Sequence, residues 1–168
     1  MIKIITALVC AFAAMLMLIV SMATTYWLQW VIPSEGVNIT HFRGLARQCF
    51  EVRHNETDAL IKENCGDWFE GGFPDWTGAV IAFLVLALLC HFVAFVLAMV
   101  NACRKGEPFP VFWVCGLFMI AAIFVIIGLL VYTFSNWKND VYFSWSYGGG
   151  WSTVALSIIA FVLIMADR

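Results

Sequence analysis

Four stretches of this chain, residues 4–34, 76–103, 108–137 and 141–166, contain no Asp, Glu, Lys or Arg. A helix needs about 20 apolar residues to cross a hydrocarbon core of roughly 30 Å, so each stretch has room for one spanning helix and its interfacial ends. The composition agrees, because 63% hydrophobic and 12% charged side chains in 168 residues lie far from the soluble norm of about 45–50% and about 25%. Four spans consume most of the chain. That leaves no separate catalytic or cytoplasmic domain, and a net charge of −2 gives no nucleic-acid footprint. The apolar runs lack period-two alternation, which excludes a porin-like barrel.

The expected architecture is a single tetraspan domain over residues 1–168. Its helices run near 4–26, 76–102, 110–134 and 148–166, joined by a long segment at 27–75 and a shorter one at 135–147. Lys3, the apolar run and Ser21-Met22-Ala23 also resemble a signal peptide. The run exceeds the ~7–15 residues of a signal core and continues into Tyr26, Trp27 and Trp30, so a retained first helix is expected. Lys3, Arg104, Lys105 and Arg168 flank one side, which the positive-inside rule makes cytoplasmic together with both termini. On the other side lie Trp27, Trp30, Trp68, Trp76, Trp137, Trp145 and Trp151, expected as an interfacial belt. Small residues at Ala7 and Ala11, at Ala94, Ala98 and Ala102, and at Gly116 and Gly128 are candidate helix seams.

No Asp, Glu, Lys or Arg lies within any expected span, whereas pumps and proton-coupled transporters need ionisable groups at depth. His91 reads as a hydrogen-bonded interhelical residue rather than a relay. Gly148-Gly149-Gly150 has no phosphate-loop context and reads as flexibility at the start of the last helix. His41 and His54 lack ligand spacing and read as a solvated loop face. With no nucleophile paired to a base, the sequence points to no enzyme, no cofactor and no metal.

Of six cysteines, only Cys49 and Cys65 lie in the 27–75 segment. If that segment faces an oxidising compartment, these two pair with no alternative partner; the other reading is two free thiols. Cys103, beside Arg104 and Lys105, is a candidate palmitoylation site or an inert cysteine. Asn38-Ile39-Thr40 and Asn55-Glu56-Thr57 both fit the N-glycosylation signal in the same segment, with Asn55 the better placed. Alternation over Phe42–Arg53 suggests short antiparallel strands, with an edge strand near Val141–Trp145 and a return to the second span marked by Gly71, Gly72 and Pro74. The expected fold is therefore a mainly helical membrane protein: a four-helix bundle carrying a small disulfide-stapled extracellular β-sheet.

The combination of Trp30, Gly44-Leu45, Cys49 and Cys65 resembles the tetraspan superfamily of claudins, peripheral myelin and epithelial membrane proteins, and calcium-channel gamma or AMPA-receptor regulatory subunits. Ala46 stands where the family carries Trp, and the gap to Cys65 is longer than in claudins. Trp145-Ser146-Tyr147-Gly148-Gly149-Gly150-Trp151-Ser152 and Ala166-Asp167-Arg168 are similar to the gamma branch. The resemblance implies a plasma-membrane protein that packs laterally on an ion channel or receptor as an accessory subunit. The alternatives are a homotypic junction protein and a peripheral-myelin-like membrane organiser. Eight acids of the 35–75 segment outweigh four bases, and Glu51, Glu56, Asp58 and Glu63 form its candidate interface.

Overall fold

The computed structural model describes residues 2–67, 75–103, 111–137 and 140–166. Four helices, α1 (Ile2–Ala23), α2 (Asp75–Cys103), α3 (Val111–Asn136) and α4 (Trp145–Met165), are each long and apolar enough to cross a membrane. They form a ring in which α1 packs on α2 and α4, and α3 on the same two helices. Strands β1 (Leu28–Ser34), β2 (Val37–Arg43), β3 (Arg47–His54), β4 (Leu60–Asp67) and β5 (Tyr142–Phe143) make one antiparallel sheet at one end of the ring, in the order β4-β3-β2-β1-β5. Gly36, at a φ of 77°, turns the chain between β1 and β2, a conformation that suits a residue without Cβ. The expected edge strand after α3 is therefore present, with Tyr142 and Phe143 opposite Gln29 and Leu28.

In lipid, helices gain little from apolar burial, so close backbone approach decides their contacts. Ala7 and Ala11 on α1 and Ala94 and Ala98 on α2 are buried in one cluster with Val114, Cys115 and Phe118 of α3. Gly128 sits against Leu84 and Phe83 of α2. Two of the expected seam residues differ: Ala102 is exposed, and Gly116 has open space where a side chain would project.

Two helix ends depart from expectation. α1 stops at Ala23 rather than Tyr26, because the next residues turn toward β1 and are held by α4: the Ser146 and Ser144 amides donate to the carbonyls of Tyr26 and Trp27 (3.1 and 3.0 Å). α4 starts at Trp145, so the glycine triplet is helical rather than a flexible start. In water such a run costs about 1 kcal/mol per residue relative to Ala. Here the missing side chains admit neighbours, since a Cβ on Gly149 would lie 3.6 Å from Ser21 on α1 and one on Gly150 would lie 2.8 Å from Leu129 on α3.

His91 and Ser157 pair inside the bundle. Fully buried His91 on α2 reaches across the ring to Ser157 on α4, with Nε2 and Oγ 2.6 Å apart, while its Nδ1 lies 2.9 Å from the Ala87 carbonyl. A carbonyl only accepts, so Nδ1 carries hydrogen; in the neutral ring Nε2 then accepts from the Ser157 hydroxyl. That hydroxyl also lies 2.6 Å from the Thr153 carbonyl. The two partners are therefore unequal. Ser157→Ala leaves Nε2 without a partner, an expected cost of about 1–3 kcal/mol. His91→Phe frees the Ser157 hydroxyl to donate to the Thr153 carbonyl and is expected to cost about 0.6 kcal/mol, the mean for such bonds in membranes. Unfolding of the two variants in mixed micelles checks the order.

Candidate functional site

The junction between sheet and helices is built on aromatic residues. Trp27 is fully buried, donates through Nε1 to the Ser21 carbonyl (2.6 Å), and has its ring centroid 4.8 Å from that of Tyr132. Tyr132, at the sheet end of α3, also meets Trp76, Phe143 and Tyr147, so one ring joins α2, α3, β5 and α4. Trp27 is thus a core plug, not a member of an interfacial belt. Trp30 and Trp76 are half-buried, whereas Trp137, Trp145 and Trp151 remain exposed as belt residues would.

The family-like motif explains itself at this junction. A Cβ on Gly44 would stand 2.6 Å from the Thr24 carbonyl oxygen and 2.7 Å from Thr25 Cα, so the β2–β3 turn touches the end of α1 backbone to backbone. Leu45 beside it is buried in the core. Gly44→Ala is expected to destabilise by about 1–3 kcal/mol or more, because backbone cannot step aside. Gly150→Ala meets only the flexible end of Leu129 and is expected to cost less. Thermal aggregation in detergent separates the two. Trp30 stacks on His41 at 5.0 Å and 5°, with Phe50 beyond it, so His41 is a half-buried sheet residue and not a loop histidine. His54 is exposed, and its Nδ1 accepts from the Glu56 amide at 3.3 Å.

Cys49 and Cys65 lie opposite each other on β3 and β4 and form a disulfide. Cys10 and Cys90 are half-buried and Cys115 buried in the helices as free thiols; Cys103 is exposed at the end of α2 away from the sheet. Asn55 is exposed in the β3–β4 turn, whereas Asn38 is half-buried in the inner strand β2, between Pro33 and Arg53.

The four candidate interface acids lie on β3, on β4 and in the turn between them. Arg53 binds Glu51 at 3.1 Å and approaches Asp58 at 3.6 Å, and the Glu51 side chain is only 16% exposed. Glu63 sits directly opposite Glu51, and Glu56 is exposed in the turn. The placement of Trp68, Glu70, Gly71, Gly72, Pro74, Arg104, Lys105 and Arg168 lies outside the described residues, as does the side chain of Lys3.

Sequence reasoning missed a cavity of about 320 Å³ between the sheet and the ends of α2 and α3. Leu28, Trp30, Arg43, Trp76, Ser135, Asn136, Asp140 and Val141 line it. The half-buried guanidinium of Arg43 donates to Asn136 Oδ1 at 3.4 Å and lies 5.5 Å from the Trp76 ring centre. Asn136 is held in turn by a bond from Nδ2 to the Tyr132 carbonyl (2.9 Å). Burial lowers the Arg43 pKa, an effect partly offset by Tyr132. A charged, hydrogen-bonding and aromatic lining of this kind suits a small polar ligand. Alternation along β2 placed Arg43 in a strand; nothing in one dimension brought it to Trp76 and Asn136.

Comparison with known proteins agrees with this architecture. The human lens fiber membrane intrinsic protein is 26% identical over 168 residues, covering 94% of this chain and 87% of its own length. The human claudin domain-containing protein 2 is 29% identical over 120 residues, covering 69% of this chain and 72% of its own. The family model described as PMP-22/EMP/MP20/Claudin matches residues 1–164. With four spanning helices, a disulfide-linked antiparallel sheet and a family match over nearly its whole length, the chain belongs to the PMP-22/EMP/MP20/Claudin family of multi-pass membrane proteins.

Proposed function

We propose that this protein is a non-enzymatic accessory subunit of the plasma membrane, which holds a larger membrane protein, an ion channel or receptor, through its sheet and its lateral helix faces. One observation carries the reading. Val31, Ile32, Leu60 and Ile61, between 47% and 57% exposed, stand on β1 and β4 in the half of the sheet farther from the helices. Apolar side chains along the spans are covered by lipid; these four lie on strands outside the spans and suit a protein contact. Pairing of Glu51 and Asp58 with Arg53 reduces the free acid that a cation-selective gap lining would draw on. That favours the accessory reading over a junctional one.

The test is a photo-crosslinking residue placed at Ile32 or Leu60 in native membranes. An adduct with a larger membrane protein supports the accessory reading. Adducts confined to a second copy of this chain overturn it in favour of homotypic contact, and none at either position overturns the sheet as the contact surface.

In this reading the sheet is extracellular and both termini are cytoplasmic. Exposed Asn55 is then the glycosylated sequon, whereas Asn38 already lies within the inner strand β2. Asn55→Gln is expected to abolish the mass shift on deglycosylation, and Asn38→Gln to leave it. A chain labelled by impermeant reagents at its termini in intact cells would reverse the topology.

A further inference from the structure

Side chains alternate along a strand and paired residues share a face, so the register sorts the sheet into two unlike faces. On the first, Leu28 of β1 is buried in the core. Trp30, His41, Phe50 and Asn64 form the next row across β1 to β4, and Ile32, Ile39, Val52 and Lys62 the row after that, farther from the helices. Ile32 and Lys62 are exposed, while Ile39 and Val52, flanked by strands on both sides, are half-buried. These two rows hold no Asp or Glu, and Lys62 is their one Lys or Arg. The second face carries Val31, Thr40, Glu51 and Glu63 in the intervening row.

We propose that the extracellular part of the larger membrane protein docks on the first face, an apolar patch of it covering Ile32, Ile39 and Val52 and a carboxylate of it meeting Lys62. The proposal rests on the accessory reading above and adds the face used and the chemistry of the partner surface. Protein interfaces are depleted of charge at the core and carry it at the rim. The first face has that layout, since its apolar residues stand on β1, β2 and β3 and its lysine on the edge strand β4. Docking on the second face would desolvate the Glu51–Arg53 ion pair and the two directly opposed carboxylates of Glu51 and Glu63. Removing such charges from water is costly, and the first face carries no comparable cost. A second copy docked through the same face would bring Lys62 no acid from these rows, whereas a partner with a carboxylate there is complementary.

Neighbours on one strand supply matched probes. Val31 and Ile32 are 48% and 47% exposed, and Thr40 and Ile39 are both half-buried, yet each pair is split between the two faces. A photo-crosslinking residue is placed at each of the four positions in the full chain in native membranes, and the adducts are mapped by mass spectrometry. The expected result is adducts with one larger membrane protein from positions 32 and 39, and few from 31 and 40. Lys62→Glu should lower co-purification of that protein about fivefold, as loss of a complementary rim charge. Glu63→Lys, an equal charge change at the next exposed residue but on the second face, should leave it unchanged. Surface labelling of both variants checks that they fold. Adducts from Val31, Thr40 or Leu60 without any from Ile32 would leave the accessory reading standing and overturn the choice of face. So would equal adducts from both faces, or equal losses in the two charge variants. Adducts from Ile32 with lipid alone would make the face a membrane contact and overturn the proposal, and adducts with a second copy alone would overturn the accessory reading with it.

Discussion

Trp27→Ala is expected to be the most damaging single substitution in the chain, costing about 3–5 kcal/mol through the buried volume it removes. Trp27 is fully buried, its indole N–H holds the last turn of α1 through the Ser21 carbonyl, and its ring touches Tyr132 and Tyr147. Removing it opens a cavity where α1, α3, α4 and β1 converge and leaves the Ser21 carbonyl without its indole donor. With stabilities of about 5–15 kcal/mol typical, such a loss should bring retention inside the cell and a much lower melting temperature in detergent. Trp30→Ala is the control, since that ring is half-exposed and its loss should cost distinctly less. Equal melting temperatures for the two variants would show that the junction does not depend on the plug.

Replacing Cys49 or Cys65 is expected to cost roughly 3 kcal/mol in the entropy model for a closed loop of this length. The effect should concentrate on β4. Every β4 residue from 60 to 66 is exposed, so the strand has little buried side chain to fix it beyond its ladder with β3 and the disulfide. Cys49→Ser should cost somewhat more than Cys65→Ser, because Cys49 is buried and Cys65 exposed. The double replacement should cost little more than the worse single one, since all three break one bond. Limited proteolysis should then cut first within β4. Cleavage that starts in the helices instead would place the weak point elsewhere.

The parts of this fold that were legible in the sequence are those written in one dimension. A membrane span needs only an unbroken apolar run, and the gaps between charges delivered all four helices to within a few residues of their ends. Cys49 and Cys65 were legible because no other cysteine shares their segment. The misread positions are those where a residue's meaning depends on what comes to meet it. Gly148-Gly149-Gly150 reads as a hinge in water, yet against Ser21 and Leu129 the missing side chains are contact surface. Trp27 follows a helix as belt tryptophans do, and only the arrival of Tyr132 and Tyr147 makes it core. Glu51 counted as free charge until the strand turned Arg53 toward it. The Arg43 cavity draws on β1, β2, α2, α3 and the segment before β5, so no window of sequence contains its pattern.

The fifth strand has a bearing on biogenesis. β5 pairs with β1, although the two are separated by the rest of the sheet and by two helices in the chain. As the polypeptide leaves the ribosome, β1 to β4 can pair among themselves, but the outer edge of β1 at Leu28 and Gln29 stays open until α3 has been inserted and the segment before α4 returns. Only then do the amides of Ser144 and Ser146 reach the carbonyls of Trp27 and Tyr26. A stalled or truncated chain would present that bare edge beside the membrane, where a folding monitor could read it as a mark of unfinished synthesis.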